Sequence, residues 1–180
     1  MVSRHLTLPN NLTILRLLLI PVIGVCLVTA FAGHYQVSVV LYGSAAATDT
    51  LDGYIARRRK QISELGKFLD PLADKILVIT VLILLVQSQV LPTWVMVVIF
   101  AREFLITGLR TVAASQGVVV GSTAWGKSKT LSQNLMIGLL ILSLAYSGLR
   151  IAANVFIGIA VVATVLSGLD YLWRYRRFVV

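Results

Sequence analysis

Four aspartates and their spacing are the most informative feature of this sequence. Asp49 and Asp52 are three residues apart, and Asp70 and Asp74 are four residues apart, in an otherwise apolar, helix-compatible stretch. Either spacing puts both carboxylates on one face of an α-helix. Only seven residues of the chain are acidic, and five of them lie between Asp49 and Asp74. We therefore expect these aspartates to act as a group.

The chemistry that suits such a group is the binding of divalent cations. Four converging carboxylates would repel one another by about 4 kcal/mol per pair at 4 Å, even at an effective dielectric constant of about 20. All-oxygen ligation suits Mg²⁺, Mn²⁺ or Ca²⁺, and no Cys or His lies nearby for a zinc-type site. Paired cations favour displacement at phosphorus. The sequence therefore predicts two divalent cations that hold a diphosphate and are bound by Asp49, Asp52, Asp70 and Asp74.

Two alternative roles for the aspartates stay open. They could form salt bridges with neighbouring basic residues: Arg57, Lys67 or Lys75. They could also line an ion pathway in a divalent-cation transporter. Such a pathway would spread its acidic groups over several helices, whereas these aspartates are confined to two.

The elements that must position these residues are membrane helices. The 180 residues are 58% hydrophobic with a mean hydropathy of +0.90, well above the roughly 45–50% apolar content of soluble domains. Runs of about 20 apolar residues suffice to cross a hydrocarbon core of about 30 Å, and a span in lipid must satisfy its own backbone as a helix. We predict one all-α membrane domain over 1–180, with six transmembrane helices at about 12–31, 36–58, 66–87, 92–114, 129–146 and 149–171.

Two features of these helices bear on the aspartates. Pro21 should bend the first helix. The connection between the second and third helices is short, so we expect them to be antiparallel neighbours whose charged faces meet. Asp49 and Asp74 would then lie about 12–14 Å from the connecting loop, within the membrane.

Basic residues indicate the orientation of the chain. Lys and Arg number 16 against 7 Asp and Glu, which gives a net charge of +9. Such an excess can indicate nucleic-acid binding, but between apolar runs it more often reports membrane orientation. The basic residues cluster near both termini and between helices 2 and 3 and helices 4 and 5. We therefore expect both termini and the active site on the cytoplasmic side of the inner membrane, and no nucleic-acid partner.

A second group of charges lies in the second half of the chain. Arg102 is near the middle of the fourth apolar run, where an unpaired cation is costly. Arg110 follows eight residues later on roughly the same side, and Lys127 and Lys129 enter the fifth helix from the same end. These four cations predict a doubly charged phosphate ligand. The alternative is that Arg102 pairs with Glu103 or an aspartate, and that the lysines only report orientation.

The stretch from Asp49 to Asp74 resembles the CDP-alcohol phosphotransferase signature. All eight fixed positions are present at the family's spacing: Asp49, Asp52, Gly53, Ala56, Arg57, Gly66, Asp70 and Asp74. The resemblance implies a bundle of six membrane helices, usually dimeric, that transfers a phosphatidyl group from a CDP-linked lipid to an alcohol and releases CMP. It implies that all four aspartates bind two divalent cations, Mg²⁺ or Mn²⁺, and that Asp74 is in addition the general base.

The same resemblance implies a binding site for the CDP lipid. Small or polar residues beside the aspartates would contact the nucleotide or let it approach the backbone, although small residues also pack helices closely. The N-terminal segment PNNLT resembles the one that closes over the nucleotide. The implied contacts are Asn10, Thr13, Gly53, Ala56, Arg57, Ser63 and Gly66.

The second half of the chain narrows the choice of acceptor. The segments REFLITGLR, from Arg102, and GKSKTLSQ, from Gly126, resemble the branch that makes phosphatidylglycerophosphate. The likeness covers about residues 8–135 and implies CDP-diacylglycerol as donor and sn-glycerol 3-phosphate as acceptor, held by the four cations. A sister enzyme that uses inositol phosphate or phosphatidylglycerol is the alternative. The last apolar run adds nothing specific to the resemblance.

Overall fold

The computed structural model describes residues 8–59, 64–118, 121 and 123–176, with side chains throughout except at 8–12, 49–59, 64–68 and 70. These residues form six α-helices and one short 3₁₀ helix, and no strand occurs among them. The predicted all-α architecture is therefore confirmed. The helices are α1 (Leu8–Val28), α2 (His34–Arg59), α3 (Glu64–Gln87), α4 (Thr93–Ser115), α5 (Ala124–Ala145) and α6 (Arg150–Arg174), with the 3₁₀ turn Ser147–Leu149 before α6.

Each helix corresponds to one predicted apolar run. Four helices begin earlier than predicted, α2 and α3 by two residues and α1 and α5 by four and five, and α1 ends at Val28 rather than at 31. α1 begins at Leu8 and passes through Pro21 without interruption. α5 begins at Ala124 rather than at 129, because Thr123 caps it: Thr123 Oγ1 accepts a hydrogen bond from the Gly126 amide at 3.1 Å. A capping side chain satisfies an amide that the first turn leaves without a partner. Both early turns contain polar residues (Asn10 and Asn11 in α1, Lys127 and Ser128 in α5), so the apolar pattern did not include them.

The number of membrane-spanning helices stays a prediction. Within the described ranges, only Ser147–Arg174 is long and apolar enough by itself to cross a membrane, and Thr13–Val28 is a shorter apolar stretch. In α4 the apolar sequence is interrupted by Arg102, Glu103 and Arg110. The charged residues of α4 that predict a phosphate ligand thus also lower its hydropathy, so it does not qualify as a membrane span by composition alone.

The helices form two compact units, Met1–Ser88 and Gln89–Val180. In the first unit α1 packs extensively on both α2 and α3, around a core that includes Ile23, Leu77 and Leu85. The described parts of α2 and α3 contact each other at few places. The meeting of their charged faces and the single domain over 1–180 stay predictions.

In the second unit α6 packs most extensively on α5 and also contacts α4. Its buried residues recur every three or four positions, so they share one face of the helix. Most of them are small, which lets neighbouring helices approach closely. This inner face consists of Ala153, Ile157, Ala160, Thr164, Ser167 and Tyr171.

The close packing of α6 is open to a direct test at Ala160, which is fully buried. Ala160→Leu adds volume that the packed helices must move to accommodate, so we expect the free energy of unfolding to fall by about 1–3 kcal/mol. Thermal unfolding of the purified protein in detergent micelles would measure it. Ile159→Leu is the control, because Ile159 is 46% exposed. Equal midpoints for the two variants would contradict this packing.

Candidate functional site

The four aspartates lie on two helices of the first unit. Asp49 and Asp52 lie within α2, and Asp70 and Asp74 lie within α3, so helical spacing relates the members of each pair. The side chains of Asp49, Asp52 and Asp70 lie outside the described residues. Asp74 is half-buried, and its carboxylate is close enough to the hydroxyl of the buried Tyr42 to interact with it electrostatically. Convergence of the four carboxylates stays a prediction.

The donor set fits a hard divalent cation. Each pair of aspartates falls within about one turn of a continuous helix, and carboxylate oxygens are the ligands that Mg²⁺ and Mn²⁺ accept. Among the side chains that the structure describes, no three His, Cys, Asp or Glu come together. That finding does not bear on the predicted site, because three of its four carboxylates are not among them.

The predicted CDP-lipid site also lies largely outside the described side chains. Thr13 is described and is buried in the first unit, as is Arg16 one turn later on the same face of α1. The sequence indicates Arg16 only as an orientation charge, although its spacing from Thr13 was a signal that the two share a face. The other predicted contacts lie outside the described side chains: Asn10, Gly53, Ala56, Arg57, Ser63 and Gly66.

The second unit brings predicted phosphate ligands together around one carboxylate. Glu103 Oε1 accepts hydrogen bonds from Lys129 Nζ at 2.6 Å and from Arg102 Nη1 at 2.9 Å. The side chains of Lys129 and Arg102 are only 6% and 13% exposed. The pairing of Arg102 with Glu103, the alternative raised by the sequence, is therefore present. Lys127 is exposed on the first turns of α5.

Two hydroxyl groups of α6 join the same cluster. Arg102 Nη2 donates to Ser167 Oγ at 2.6 Å, and Arg110 Nη2 donates to Tyr171 Oη at 2.5 Å. The guanidinium carbons of Arg102 and Arg110 lie 5.6 and 5.1 Å from the centre of the Tyr171 ring, which is cation–π distance. The sequence offered one signal for α6, namely polar residues at helical spacing (Thr164, Ser167 and Tyr171) in an apolar helix.

The cluster has the chemistry of an anion site. The cluster holds three cations: Arg102 and Lys129 donate to the carboxylate of Glu103, and Arg110 donates to the hydroxyl of Tyr171. Arg102 Nε is buried and has no hydrogen-bond partner in the described part of the chain. A phosphate would supply acceptor oxygens to such donors in charge-assisted hydrogen bonds. The geometry thus fits the predicted phosphate pocket, and its occupant stays a prediction.

Comparison with known proteins gives consistent matches along the chain. The sequence model of the CDP-alcohol phosphatidyltransferase family matches residues 6–166. A CDP-diacylglycerol–glycerol-3-phosphate 3-phosphatidyltransferase of Bacillus subtilis (strain 168) is 39% identical over 178 residues, which cover 91% of this chain and 92% of that protein. A probable phosphatidylglycerophosphate synthase of Mycobacterium tuberculosis (strain H37Rv) is 39% identical over 179 residues, 97% of this chain and 84% of its own. A CDP-diacylglycerol–glycerol-3-phosphate 3-phosphatidyltransferase of Haemophilus influenzae is 35% identical over 173 residues, which cover 92% of this chain and 91% of that protein.

Glu103→Gln tests whether the carboxylate of Glu103 holds Arg102 and Lys129 in the cluster. The substitution keeps the size of the side chain but removes the charge that Arg102 and Lys129 share, so we expect a loss of about 1–3 kcal/mol in the free energy of unfolding. Thermal unfolding in micelles would measure it. Inorganic phosphate should raise the midpoint of this variant more than that of the wild type, because a bound anion can replace the carboxylate.

The control for Glu103→Gln is Arg174→Gln. It breaks the ion pair of Arg174 with Asp170 within α6, in which Arg174 is 57% exposed. Exposed pairs of this kind contribute little to stability. A Glu103 variant no less stable than this control, and indifferent to phosphate, would contradict the cluster as an anion site.

Proposed function

Because this chain belongs to the CDP-alcohol phosphatidyltransferase family, we propose that it transfers the phosphatidyl group of CDP-diacylglycerol to sn-glycerol 3-phosphate. The products are phosphatidylglycerophosphate and CMP, so the chain is a transferase of phospholipid biosynthesis. Relatives at 34–39% identity over most of the chain carry the name of this reaction. The single structural observation that supports the choice of acceptor is the cation cluster around Glu103.

The acceptor proposed for this cluster is a phosphate monoester. Arg102, Arg110 and Lys129 converge in the second unit, and Lys127 on α5 is proposed as a fourth contact. Arginine is well suited to hold a phosphate through two parallel hydrogen bonds. An uncharged acceptor, such as glycerol or myo-inositol, would not need these cations. Glycerol 3-phosphate does, and it also carries the hydroxyl that reacts.

The first unit is proposed to hold the donor. Asp49, Asp52, Asp70 and Asp74 would bind two divalent cations, Mg²⁺ or Mn²⁺, in keeping with a family that generally uses such ions. When bound, these cations neutralise the charge of the diphosphate and of the departing CMP. The nucleotide and its phosphates would be contacted by Asn10, Thr13, Gly53, Ala56, Arg57, Ser63 and Gly66.

Asp74 is proposed as the general base. It would take the proton of the terminal hydroxyl of glycerol 3-phosphate while that oxygen bonds to the phosphorus of the phosphatidyl group. The bond from this phosphorus to CMP then breaks, and CMP leaves. Asp74 is half-buried beside Tyr42, so solvent has limited access to its carboxylate. Catalysis would come mostly from position and charge neutralisation.

The protein is a membrane enzyme, and its finer placement is part of the proposal. We propose six spans through the inner membrane as a single domain, with both termini and the active site on the cytoplasmic side. The apolar α6 and the basic residues of the loops support this arrangement. The enzyme is proposed to work as a homodimer, as its family usually does.

Release of CMP by the purified protein tests the acceptor. With CDP-diacylglycerol and Mg²⁺ or Mn²⁺, we expect turnover with glycerol 3-phosphate and none after chelation of the metal. Arg110→Ala should raise the KM for glycerol 3-phosphate about tenfold or more, because a charged phosphate contact is lost. The KM for CDP-diacylglycerol should change less than about twofold.

Three results would contradict the proposed reaction or its pocket. Turnover with inositol phosphate or phosphatidylglycerol in place of glycerol 3-phosphate would indicate a sister enzyme. Metal-dependent cation flux in liposomes without CMP release would indicate a transporter. Equal effects of Arg110→Ala on both KM values would remove Arg110 from the acceptor pocket.

Asp74→Asn tests the general base. Loss of the base should lower kcat by about 10²–10⁴-fold, while binding of CDP-diacylglycerol, measured at equilibrium with labelled lipid, stays largely intact. Asp170→Asn in α6 is the matched control and should retain turnover. If Asp74→Asn also retains turnover, Asp74 is not the base.

A further inference from the structure

The hydroxyl groups of Ser167 and Tyr171 on α6 are tied to the two arginines of the predicted acceptor pocket. We propose that they are positioning residues, which hold the guanidinium groups of Arg102 and Arg110 in the orientation that receives the phosphate of the acceptor. The inference rests on the proposed function, because it assigns a role within that pocket. It gives α6 a part in acceptor binding, for which the sequence offered only the helical spacing of its polar residues.

The first argument is the convergence of the two arginines. Arg102 and Arg110 are eight residues apart, so their backbones are separated by about 12 Å along α4. Ser167 and Tyr171 are four residues apart, or about 6 Å along α6. Both guanidinium carbons nevertheless lie within 6 Å of one Tyr171 ring. One ring thus contacts both cations, and these cation–π contacts and the two hydroxyls hold the guanidinium groups against α6.

The second argument is the use that the structure makes of the Tyr171 hydroxyl. It donates to the Gly121 carbonyl at 3.0 Å and accepts from Arg110 Nη2 at 2.5 Å and from the Thr123 amide at 3.3 Å. A phenol has one donor hydrogen and two acceptor lone pairs, so its whole capacity is used. Because Thr123 caps α5, the same hydroxyl also fixes the start of the helix that carries Lys129.

The third argument is the restraint on Arg102. Ser167 Oγ holds its Nη2 and Glu103 Oε1 holds its Nη1. A Cβ atom added at Gly168 would lie 3.4 Å from Arg102 Cγ, so the stem of the arginine runs close along α6. A side chain that is already restrained loses less conformational freedom when its ligand binds. The α6 hydroxyls should therefore act on acceptor affinity rather than on the chemical step.

Substitutions that remove one hydroxyl at a time test this role in the full-length purified protein. Tyr171→Phe keeps the ring and its burial, and we expect it to raise the KM for glycerol 3-phosphate about 5–20-fold. Ser167→Ala should raise the same KM about 3–10-fold. In both variants kcat should change less than about threefold, and the KM for CDP-diacylglycerol less than about twofold.

Thr164→Val is the matched control. Thr164 is buried on the same face of α6, and its hydroxyl donates to the Ala160 carbonyl of its own helix at 2.6 Å. Thr164→Val should leave the KM values for glycerol 3-phosphate and for CDP-diacylglycerol as in the wild type. A purely structural role would lower the thermal midpoint and kcat of all three variants alike, without a selective rise in the acceptor KM.

A double-mutant cycle tests whether Tyr171 acts through Arg110. In an Arg110→Ala background, Tyr171→Phe should raise the acceptor KM by less than about threefold further, because residues that act through one contact are not additive. Full multiplication of the two effects would overturn the positioning role of Tyr171.

The outcomes separate this inference from the proposed function. If the wild type releases CMP with glycerol 3-phosphate and Arg110→Ala weakens the acceptor, but Tyr171→Phe and Ser167→Ala keep the wild-type KM, the inference fails and the proposed function stands. If the wild type does not use glycerol 3-phosphate, the proposed function fails and the inference falls with it. Should Tyr171→Phe not fold, the acceptor KM of Ser167→Ala decides: a wild-type value overturns the inference.

Discussion

Charged side chains in a chain this apolar need partners, and this requirement organises the second unit. Glu103 on α4 accepts hydrogen bonds from its neighbour Arg102 and from Lys129 on α5. Arg110, two turns further along α4, reaches the hydroxyl of Tyr171 on α6. Each of the three helices thus contributes to one polar cluster within an apolar bundle. The inner face of α6 ends in Ser167 and Tyr171, which bond to Arg102 and Arg110. The face by which α6 packs is therefore also the face that reaches the cluster.

A buried cluster of charges is not by itself evidence that the charges stabilise the fold. Bringing charges out of water costs several kcal/mol per ion, and apolar residues of similar size often give equal or greater stability. The cluster also collects three cations, since Arg102 and Lys129 bond to Glu103 and Arg110 bonds to Tyr171, and like charges repel one another. A phosphate ligand, as proposed for the acceptor, would bring negative charge and acceptor oxygens to these donors. That reasoning joins the structure of the second unit to the activity named for the relatives of this chain.

Sequence and structure differ at α5 and α6 for identifiable reasons. The start of α5 lies at Ala124 rather than at 129 because the Thr123 cap depends on one hydrogen bond and not on apolar periodicity. The sequence assigns no role to Ser167 and Tyr171, because a serine and a tyrosine in an apolar helix have no fixed meaning until their partners are known. The four aspartates are evident from the sequence, because both members of each pair lie within about one turn of each other on the same helix.

The sequence alone determined what local periodicity and spacing can express. It predicted six helices and the paired aspartates, and it carried the signature of the family, since residues three or four apart share a helix face wherever the helix lies. Only the tertiary structure decided which distant residues meet. Glu103 and Lys129 are 26 residues apart, and Arg102 and Ser167 are 65. No short-range pattern encodes such contacts, because they depend on how whole helices pack.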